Sequence, residues 1–540
     1  MKSTSVSSLW QGYDRKAIPL DTRVVKTFDE KKCTTEYVFF NGEATVQGCT
    51  RVFGMYFRNK TPNGASIIVM NDVTAPFERK HVDLFLLRGY HVLLLDYAGK
   101  REDKGYYTVY PDSLSLANYY MDPDCVVKTS SRLKSTCWYV WTTVMLRGIT
   151  FLESLPETNP GKINLFGEKM GAFQVWKTVY VEPNVCCGVA LNNSGYIAKP
   201  FDEDSSFFFQ TCLDNINYAQ QISVPVLIQV STNANDNSMD YMNNLYTVIK
   251  SSKCKFSISE RSNDEIGFYQ KDNIEIFMSY FNFGKTVLPF YPEIKPRQTG
   301  HDLYYDVKVD ESMEVEEIEL LVSQGIENDA YKNWHSYKMS ATDVGYTAKV
   351  SVADNREEIS AFVNVKYKNS LSVSSEIIKN IPLLIGVKNS PITRTRLLYT
   401  PEYGLDEWTS LKGMNVDEPI LKMRKGYLGI PGVSSLSNSL TTFKLGDPSF
   451  SGVNKSTLQI LFYSKKNQTI IFTVTKQDGN SFTEYYYSTA LFANSEWVKL
   501  DLSADMFKSM GGTLENWDNI VAFTVESEAQ IIVNSLIWIG

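Results

Sequence analysis

The sequence predicts a multidomain protein: a doubly wound, mostly parallel α/β domain followed by an antiparallel β-sandwich and a jelly-roll-like β-sandwich. Two observations predict this order. Up to about residue 285, short and continuously apolar runs alternate with helical patterns, as a parallel sheet buried on both faces requires. After Pro289, Pro292 and Pro296 the helical periods stop and alternating strands take over.

The first domain is predicted at 51–288, and residues 1–50 form an N-terminal extension that packs on it. A sequence stretch at 131–155 has apolar residues at three-to-four spacing and is the longest predicted helix. Short apolar strands precede and follow it, and a closing helix is predicted at 273–283. Period-two patterns and regular turn residues then predict the sandwich at 300–388 and the jelly roll at 390–540.

Composition excludes several classes of function. The net charge is −7, and acidic and basic residues are interspersed without a basic stripe, so we expect no nucleic-acid partner. No apolar run approaches the ~18 residues of a membrane span, and the first ten residues lack the apolar core of a secretory signal. We expect a cytoplasmic protein, unless the chain is the mature form of a secreted one. The eight cysteines include no C-x-x-C pair, so we expect no metal and no organic cofactor.

The strongest local signal is Gly167-Glu-Lys-Met-Gly171, where an apolar run ends and a helical pattern begins. This is the frame of a nucleophile elbow, G-x-S-x-G, a sharp strand-to-helix turn at the edge of a parallel sheet. The two glycines are needed because backbone packs on backbone there. The central residue is Lys169 and not serine, so the fold signature is present without its nucleophile.

Several stretches share an order and spacing with a known family. They are Leu-Trp-Gln-Gly-Tyr at 9–13, Val-Phe-Gly-Met-Tyr at 52–56, the strand at 88–97, the elbow and Val-Pro-Val-Leu-Ile at 224–228. Together they resemble the bacterial acetyl xylan esterase / cephalosporin-C deacetylase group of α/β-hydrolases. Residues 300–385 resemble the sandwich appended to some of these esterases, and the final 150 residues resemble carbohydrate-binding jelly-roll modules.

The resemblance implies four catalytic positions, and none carries the expected residue. Lys169 stands at the nucleophile, and an amine cannot be activated as a serine is by histidine. The oxyanion loop contains Asn71 and Asp72, and Asp72 would repel a developing oxyanion. Ala234 replaces the triad aspartate, and Asp236 could serve only if the loop changed register.

The triad histidine should lie in the loop 260–267, which has none and carries Asn263 and Asp264 instead. The chain's four histidines are predicted to be surface or satisfied core residues; they are His81, His91, His301 and His335. The resemblance therefore implies a catalytically degenerate domain, with no catalytic residue expected.

Lys169 leaves three interpretations open. It can fill the former active site through an ion pair with Asp72 or Asp264, bind an anionic ligand together with Asp72 and Asp236, or act as a new catalytic amine. Ser194 and the adjacent Cys186 and Cys187 are the remaining nucleophile candidates, without a histidine partner in sequence reach.

Aromatic residues in the last domain suggest a sugar platform. Consecutive tyrosines at 485–487 must alternate between the two faces of a strand, so Tyr485 and Tyr487 are candidate carbohydrate-binding residues, with core packing as the alternative. We expect a non-catalytic esterase-like protein that binds or assembles carbohydrate or a partner protein. The alternatives are an active carbohydrate esterase using non-standard residues on acylated sugars, and a structural subunit that oligomerises through its β domains. The sequence does not predict an oligomeric state.

Overall fold

The computed structural model describes residues 4–102, 105–128, 132–193, 203–234, 238–249, 251–263, 270–285, 287–388, 395–412, 419–450, 452, 455–492 and 496–540. The chain divides into two compact units. Unit 1 comprises Met1–Val230, Ser238–Ser257 and Lys271–Pro289, and unit 2 comprises Ser231–Asn237, Ile258–Gln270 and Phe290–Gly540. The segments that follow two strands of the α/β sheet thus belong to unit 2.

The α/β sheet has nine strands within the described residues, in the order β1-β2-β3-β5-β4-β6-β7-β8-β9. Their bounds are β1 Arg23–Asp29, β2 Cys33–Thr45, β3 Gly48–Asn59, β4 Ser66–Met70, β5 His91–Leu95, β6 Ile163–Glu168, β7 Cys187–Leu191, β8 Val226–Ser231 and β9 Lys255–Ser259. The first three strands and β5 pair antiparallel, and β4 through β8 are joined by parallel pairs. Residues 23–45 of the predicted extension are therefore strands of this sheet.

The helices of this region fill the connections between the strands. Their bounds are α1 Val6–Trp10, α2 Lys80–Leu86, α3 Cys137–Glu153, α4 Met170–Val181, α5 Glu203–Phe208, α6 Asn215–Ala219, α7 Ser238–Val248 and α8 Lys271–Phe283. Thr136 is the N-cap residue of α3, and its side chain accepts a hydrogen bond from the Tyr139 N–H. Strands β4 to β8 are buried along their whole length, as expected for a sheet covered on both faces. The strand order and the turn between β6 and α4 are those of an α/β-hydrolase fold.

Unit 2 is built from antiparallel strands, as the alternating sequence pattern predicts. Its first two sheets, of four and five strands in the described residues, contain β10 Glu293–Thr299, β11 Asp302–Lys308, β12 Val315–Gln324, β13 His335–Lys338, β14 Ser340–Thr342, β15 Gly345–Val350, β16 Ile359–Tyr367, β17 Ser372–Ser374 and β18 Ile378–Asn380. A short 3-10 helix at Asp329–Tyr331 connects β12 and β13.

Two further sheets, each of six strands in the described part of the chain, follow in unit 2. Their strands are β19 Leu397–Tyr399, β20 Leu421–Lys425, β21 Pro431–Ser435, β22 Ser439–Thr442, β23 Thr457–Ser464, β24 Gln468–Asp478, β25 Ser481–Leu491, β26 Val498–Leu502, β27 Lys508–Ser509, β28 Gly512–Thr513, β29 Ile520–Ser527 and β30 Ile531–Ile539. One apolar core, including Trp408 and Phe472, draws side chains from both sheets. Among the described helices, none combines the length and the apolar character that crossing a membrane requires.

Candidate functional site

The turn between β6 and α4 has the geometry of a nucleophile elbow. Strand β6 ends at Glu168 and α4 begins at Met170, so Lys169 forms the whole connection. Its backbone has φ 50° and ψ −112°, a conformation that a residue with a side chain rarely adopts. The Lys169 N–H donates to the carbonyl of Leu191 at 2.9 Å, which holds the turn against the end of β7.

Sterics require both glycines of this turn. A Cβ atom at Gly167 would lie 2.4 Å from the carbonyl carbon of Gly171. A Cβ atom at Gly171 would lie 1.9 Å from the carbonyl oxygen of Met70. Both distances are far inside van der Waals contact, which confirms the steric reason predicted for two glycines at this spacing.

Charged side chains meet beside the elbow. Glu168 is buried, and its Oε2 atom lies 3.2 Å from Nε2 of His81, which is itself 2% exposed. Burial alone would raise the pKa of Glu168, but the facing His81 and the charges of Lys80 and Lys169 outweigh it, so the pKa is lowered. Sequence reasoning missed this pair because α2 and β6 are distant in the chain and only the fold brings them together.

In the loop after β4, where an oxyanion hole was expected, several polar groups are hydrogen-bonded, whereas Asn71 Oδ1 is buried without a partner among the described residues. The carbonyl of Asn71 accepts a hydrogen bond from the Tyr97 hydroxyl at 2.6 Å, and Asn71 Nδ2 donates to the carbonyl of Glu78 at 2.8 Å. Asp72 Oδ2 accepts from Thr74 Oγ1 at 2.6 Å. The ion pair of Lys169 with Asp72 stays a prediction. The other expected partner, Asp264, lies outside the described residues.

The segment after β8, where the triad acid was expected, packs within unit 2. Ala234 is 1% exposed, and Asp236 lies outside the described residues. Asn233 is also buried, and its Nδ2 donates to the carbonyl oxygens of Asp329, Ala330 and Lys332 at 3.4, 3.3 and 2.9 Å. The polar side chain nearest the expected acid position therefore binds the backbone around the 3-10 helix.

The segment after β9, where the histidine was expected, is described as far as Asn263. Arg261 has a positive φ of 48°, and the Ser262 carbonyl accepts a hydrogen bond from the Asn233 N–H at 3.0 Å. Asn263 Oδ1 is buried and has no hydrogen-bond partner among the described residues. The two segments are thus bonded to each other within unit 2.

All four histidines lie outside the segment in which the triad histidine was expected. His81 faces Glu168, and His91 in β5 accepts a hydrogen bond from the Asn59 N–H at its Nδ1, while burial lowers its pKa. His335 Nε2 lies 2.8 Å from Oδ2 of Asp447, and His301 is exposed in a turn.

The other nucleophile candidates have ordinary packing roles where they are described. Cys187 is buried, which raises its pKa, and its thiol donates to Asn164 Oδ1 at 3.1 Å. Cys186 is partly buried, and both cysteines are free thiols. Ser194 lies outside the described residues.

The tyrosines of β25 divide between the two faces of the strand. Tyr485 and Tyr487 are partly buried and pack against the core of the last two sheets. Tyr486 points to the other face and is 48% exposed. Its hydroxyl bonds to Glu484, which with partial burial raises the pKa of Tyr486 to about 12. Carbohydrate binding at Tyr485 and Tyr487 stays a prediction, but the ring that presents a face to solvent is Tyr486.

No family model and no curated protein matches the chain. Solved structures do match it, among them an acetyl xylan esterase from Paenibacillus sp. R4 at 14% identity and TM-score 0.40, over 52% of this chain and 96% of the other. Acetyl xylan esterase 1 from Thermoanaerobacterium sp. JW/SL YS485 matches at 15% identity and TM-score 0.36, over 49% and 88%. The Pyrococcus furiosus esterase Pf2001 matches at 15% identity and TM-score 0.33, over 46% and 93%.

Proposed function

We propose that this chain is a non-catalytic binding or assembly protein built on an esterase-like α/β-hydrolase fold, with carbohydrate or a partner protein as its target. The observation that carries the proposal is Lys169 at the centre of a well-formed elbow. The backbone there meets the geometric demands of a nucleophile turn, whereas the side chain is that of lysine and not of serine. A histidine activates a serine by taking the proton of its hydroxyl, and a lysine side chain has no hydroxyl for this step.

The positions expected to activate a nucleophile support the same proposal. The side-chain amide of Asn233 donates to backbone carbonyls in unit 2, and Ala234 has no carboxylate. His335 is within hydrogen-bond distance of Asp447, and His91 accepts a hydrogen bond from the Asn59 N–H. A relay from acid to base to nucleophile requires three groups in hydrogen-bond contact, and the described residues form no such chain at Lys169.

A second candidate is an active carbohydrate esterase that uses non-standard residues on acylated sugars. The proximity of His81 to Glu168 favours it, because a histidine beside a carboxylate is a common general-base pair. Against it, His81 is 2% exposed, so a substrate would reach the imidazole only after α2 had moved.

Hydrolysis of an aryl acetate by the full chain, with fluorophosphonate labelling in parallel, separates the two candidates. We expect turnover at the buffer rate, no labelling, and no gain of activity in Lys169→Ser. Turnover that disappears in His81→Gln and persists in His91→Gln would contradict the proposal and establish the second candidate.

Carbohydrate as the target is supported by the exposed face of Tyr486, since a flat ring on a sheet surface can stack on a pyranose. Thr473 lies opposite Tyr486 on β24 and adds a hydroxyl to the same face. A glycan array probed with the full chain tests this. Binding that is lost in Tyr486→Ala and kept in Tyr427→Ala would assign the platform, and an array without hits would leave a protein partner as the target.

A further inference from the structure

Unit 2 contains a polar cleft of about 260 Å³, lined in part by Glu260 and Arg261 at the start of the loop in which a histidine was expected. One side is the outer face of the sheet formed by β12 and β16, where Glu319 lies opposite Asn364 and Glu317 lies opposite Lys366. The other side is formed by Glu260, Arg261 and Asp406. Amide and hydroxyl side chains complete the described part of the lining, in which no aromatic ring is found.

The two cations among the described lining residues, Arg261 and Lys366, already lie close to carboxylates. Arg261 lies between two carboxylates, with Nη2 3.8 Å from Glu319 Oε1 and Nη1 3.6 Å from Asp406 Oδ1, and it also bonds to Ser336 Oγ. Lys366 Nζ is 3.0 Å from Oε1 of Glu316, a carboxylate that does not line the cleft. Both cations are therefore already paired, and neither can fully neutralise a further carboxylate of the cleft.

The described residues that line the cleft include more carboxylates than cations. Glu260, Glu317, Glu319 and Asp406 face the cleft against Arg261 and Lys366. Glu260 Oε2 receives only neutral donors in the described contacts, Asn364 Nδ2 at 3.0 Å and Gln270 Nε2 at 3.3 Å. Burial raises the pKa of both Glu260 and Glu319, in each case against the lowering effect of Arg261. An added positive charge would stabilise both carboxylates in their ionised form.

We propose that this cleft binds a small organic cation, an alkylamine whose ammonium group is held by Glu260 and Glu319. An ammonium supplies three donors to a site rich in acceptors, and the volume suits a short aliphatic chain. A metal ion fits less well, because Arg261 separates Glu319 from Asp406 and no group of three or more His, Cys, Asp or Glu side chains in the described residues is placed to hold one. A sugar would find no ring to stack on among the described lining residues. This inference goes beyond the proposed function and does not depend on it, since the cleft is formed whether or not the elbow is catalytic.

Isothermal titration of the full chain with putrescine at low ionic strength tests the proposal, with a neutral diol of the same length, magnesium chloride and xylose titrated in parallel. We expect saturable binding of putrescine alone. Glu319→Gln keeps the shape of the side chain and removes one charge-assisted contact, so its affinity should fall about tenfold. Glu314→Gln, an exposed residue near the start of β12 that does not line the cleft, is the matched control and should bind like the unchanged chain.

Arg261→Gln gives a prediction of opposite sign. Loss of the internal guanidinium leaves Glu319 and Asp406 without their cation, so putrescine should bind more tightly than to the unchanged chain. A merely structural role for Arg261 would weaken or abolish binding. Absence of putrescine binding, equal affinity in all three variants, or tighter binding of magnesium or xylose would each overturn the proposal, while esterase assays on the same samples report separately on the proposed function.

Discussion

The elbow at Lys169 and the segments after β8 and β9 show two different ways of holding a turn. At the elbow, close backbone packing leaves no room for a Cβ atom at Gly167 or Gly171. After β8, the turn is held by side-chain hydrogen bonds, above all from Asn233 to three carbonyl groups. The first is a steric requirement and the second a polar one.

This difference distinguishes features that folding requires from residues that catalysis requires. An elbow shape is required for β6 to pass into α4, and it is present here with lysine at position 169. A catalytic acid and base are not needed for folding, and in their segments Asn233 and Arg261 make structural contacts within unit 2 instead. A well-formed elbow therefore predicts the fold, and activity has to be argued separately from the residues of the site.

The largest effect is expected from a methyl group in the elbow. In Gly171→Ala the new Cβ would meet the Met70 carbonyl oxygen at 1.9 Å, so either β4 or α4 must move. We expect unfolding of unit 1 to become easier by roughly 3 kcal/mol, measured by urea denaturation. Gly161→Ala is the control, because its Cβ would meet only Asn159 Oδ1 at 3.5 Å. Equal stability of the two variants would show that the turn is not sterically fixed.

A smaller effect is expected from the polar turn. Asn233→Ala leaves the carbonyl groups of Asp329, Ala330 and Lys332 without this donor in a buried place. The free energy of unfolding of unit 2 should fall by about 2 kcal/mol, read from its own denaturation transition. Asn480→Ala, in an exposed turn of the same unit, should change it by less than about 0.5 kcal/mol. A result as small for Asn233 would mean that the segment is held by other contacts.

Local patterns predicted the elbow well because its determinants are adjacent in sequence. Two glycines, an apolar strand and a helical period lie within 163–176, and each has a direct steric meaning. The contact of His81 with Glu168 and the cleft at Glu260 and Glu319 were not predictable, since each joins side chains that only the fold brings together. At 485–487 the alternation was predictable, but which face is buried depends on the partner sheet and not on the strand itself.

A buried carboxylate elsewhere in unit 2, Asp447, should respond to pH in a way that the elbow does not. Asp447 in unit 2 is buried and accepts hydrogen bonds from Asn333 Nδ2 at 3.2 Å and from the Ser449 N–H at 2.8 Å, with His335 Nε2 at 2.8 Å. Burial would raise its pKa, but His335 and these donors outweigh burial and lower it. A carboxylate with a lowered folded-state pKa adds stability above its unfolded pKa, and that stability is lost as the pH falls through the folded value.

Asp447→Asn should therefore be less stable than the unchanged chain at pH 7 by about 1.5 kcal/mol. The gap should close as the pH falls below the ordinary aspartate range, because the unchanged chain then carries a neutral acid at this position. Thermal unfolding from pH 7 to pH 3 measures it, with the exposed Asp518→Asn as control. The effect of Gly171→Ala should stay constant over the same range, since no titrating group takes part. A constant gap for Asp447→Asn would mean that shape, and not charge, sets its contribution.

The smallest effect concerns the backbone of Lys169 itself. At φ 50° and ψ −112° a residue with a Cβ atom is strained, and glycine is not. Lys169→Gly and Lys169→Ala both remove the lysine side chain with its contacts, so the difference between them isolates the strain. Glycine should be the more stable of the two by about 1 kcal/mol, after the entropy that glycine loses on folding. At Asn244, exposed in α7, the same pair of substitutions should give the opposite order, with alanine more stable by about 1 kcal/mol. If alanine were also the better residue at 169, the turn would relax without its lysine, and the steric account of the elbow would hold for Gly167 and Gly171 alone.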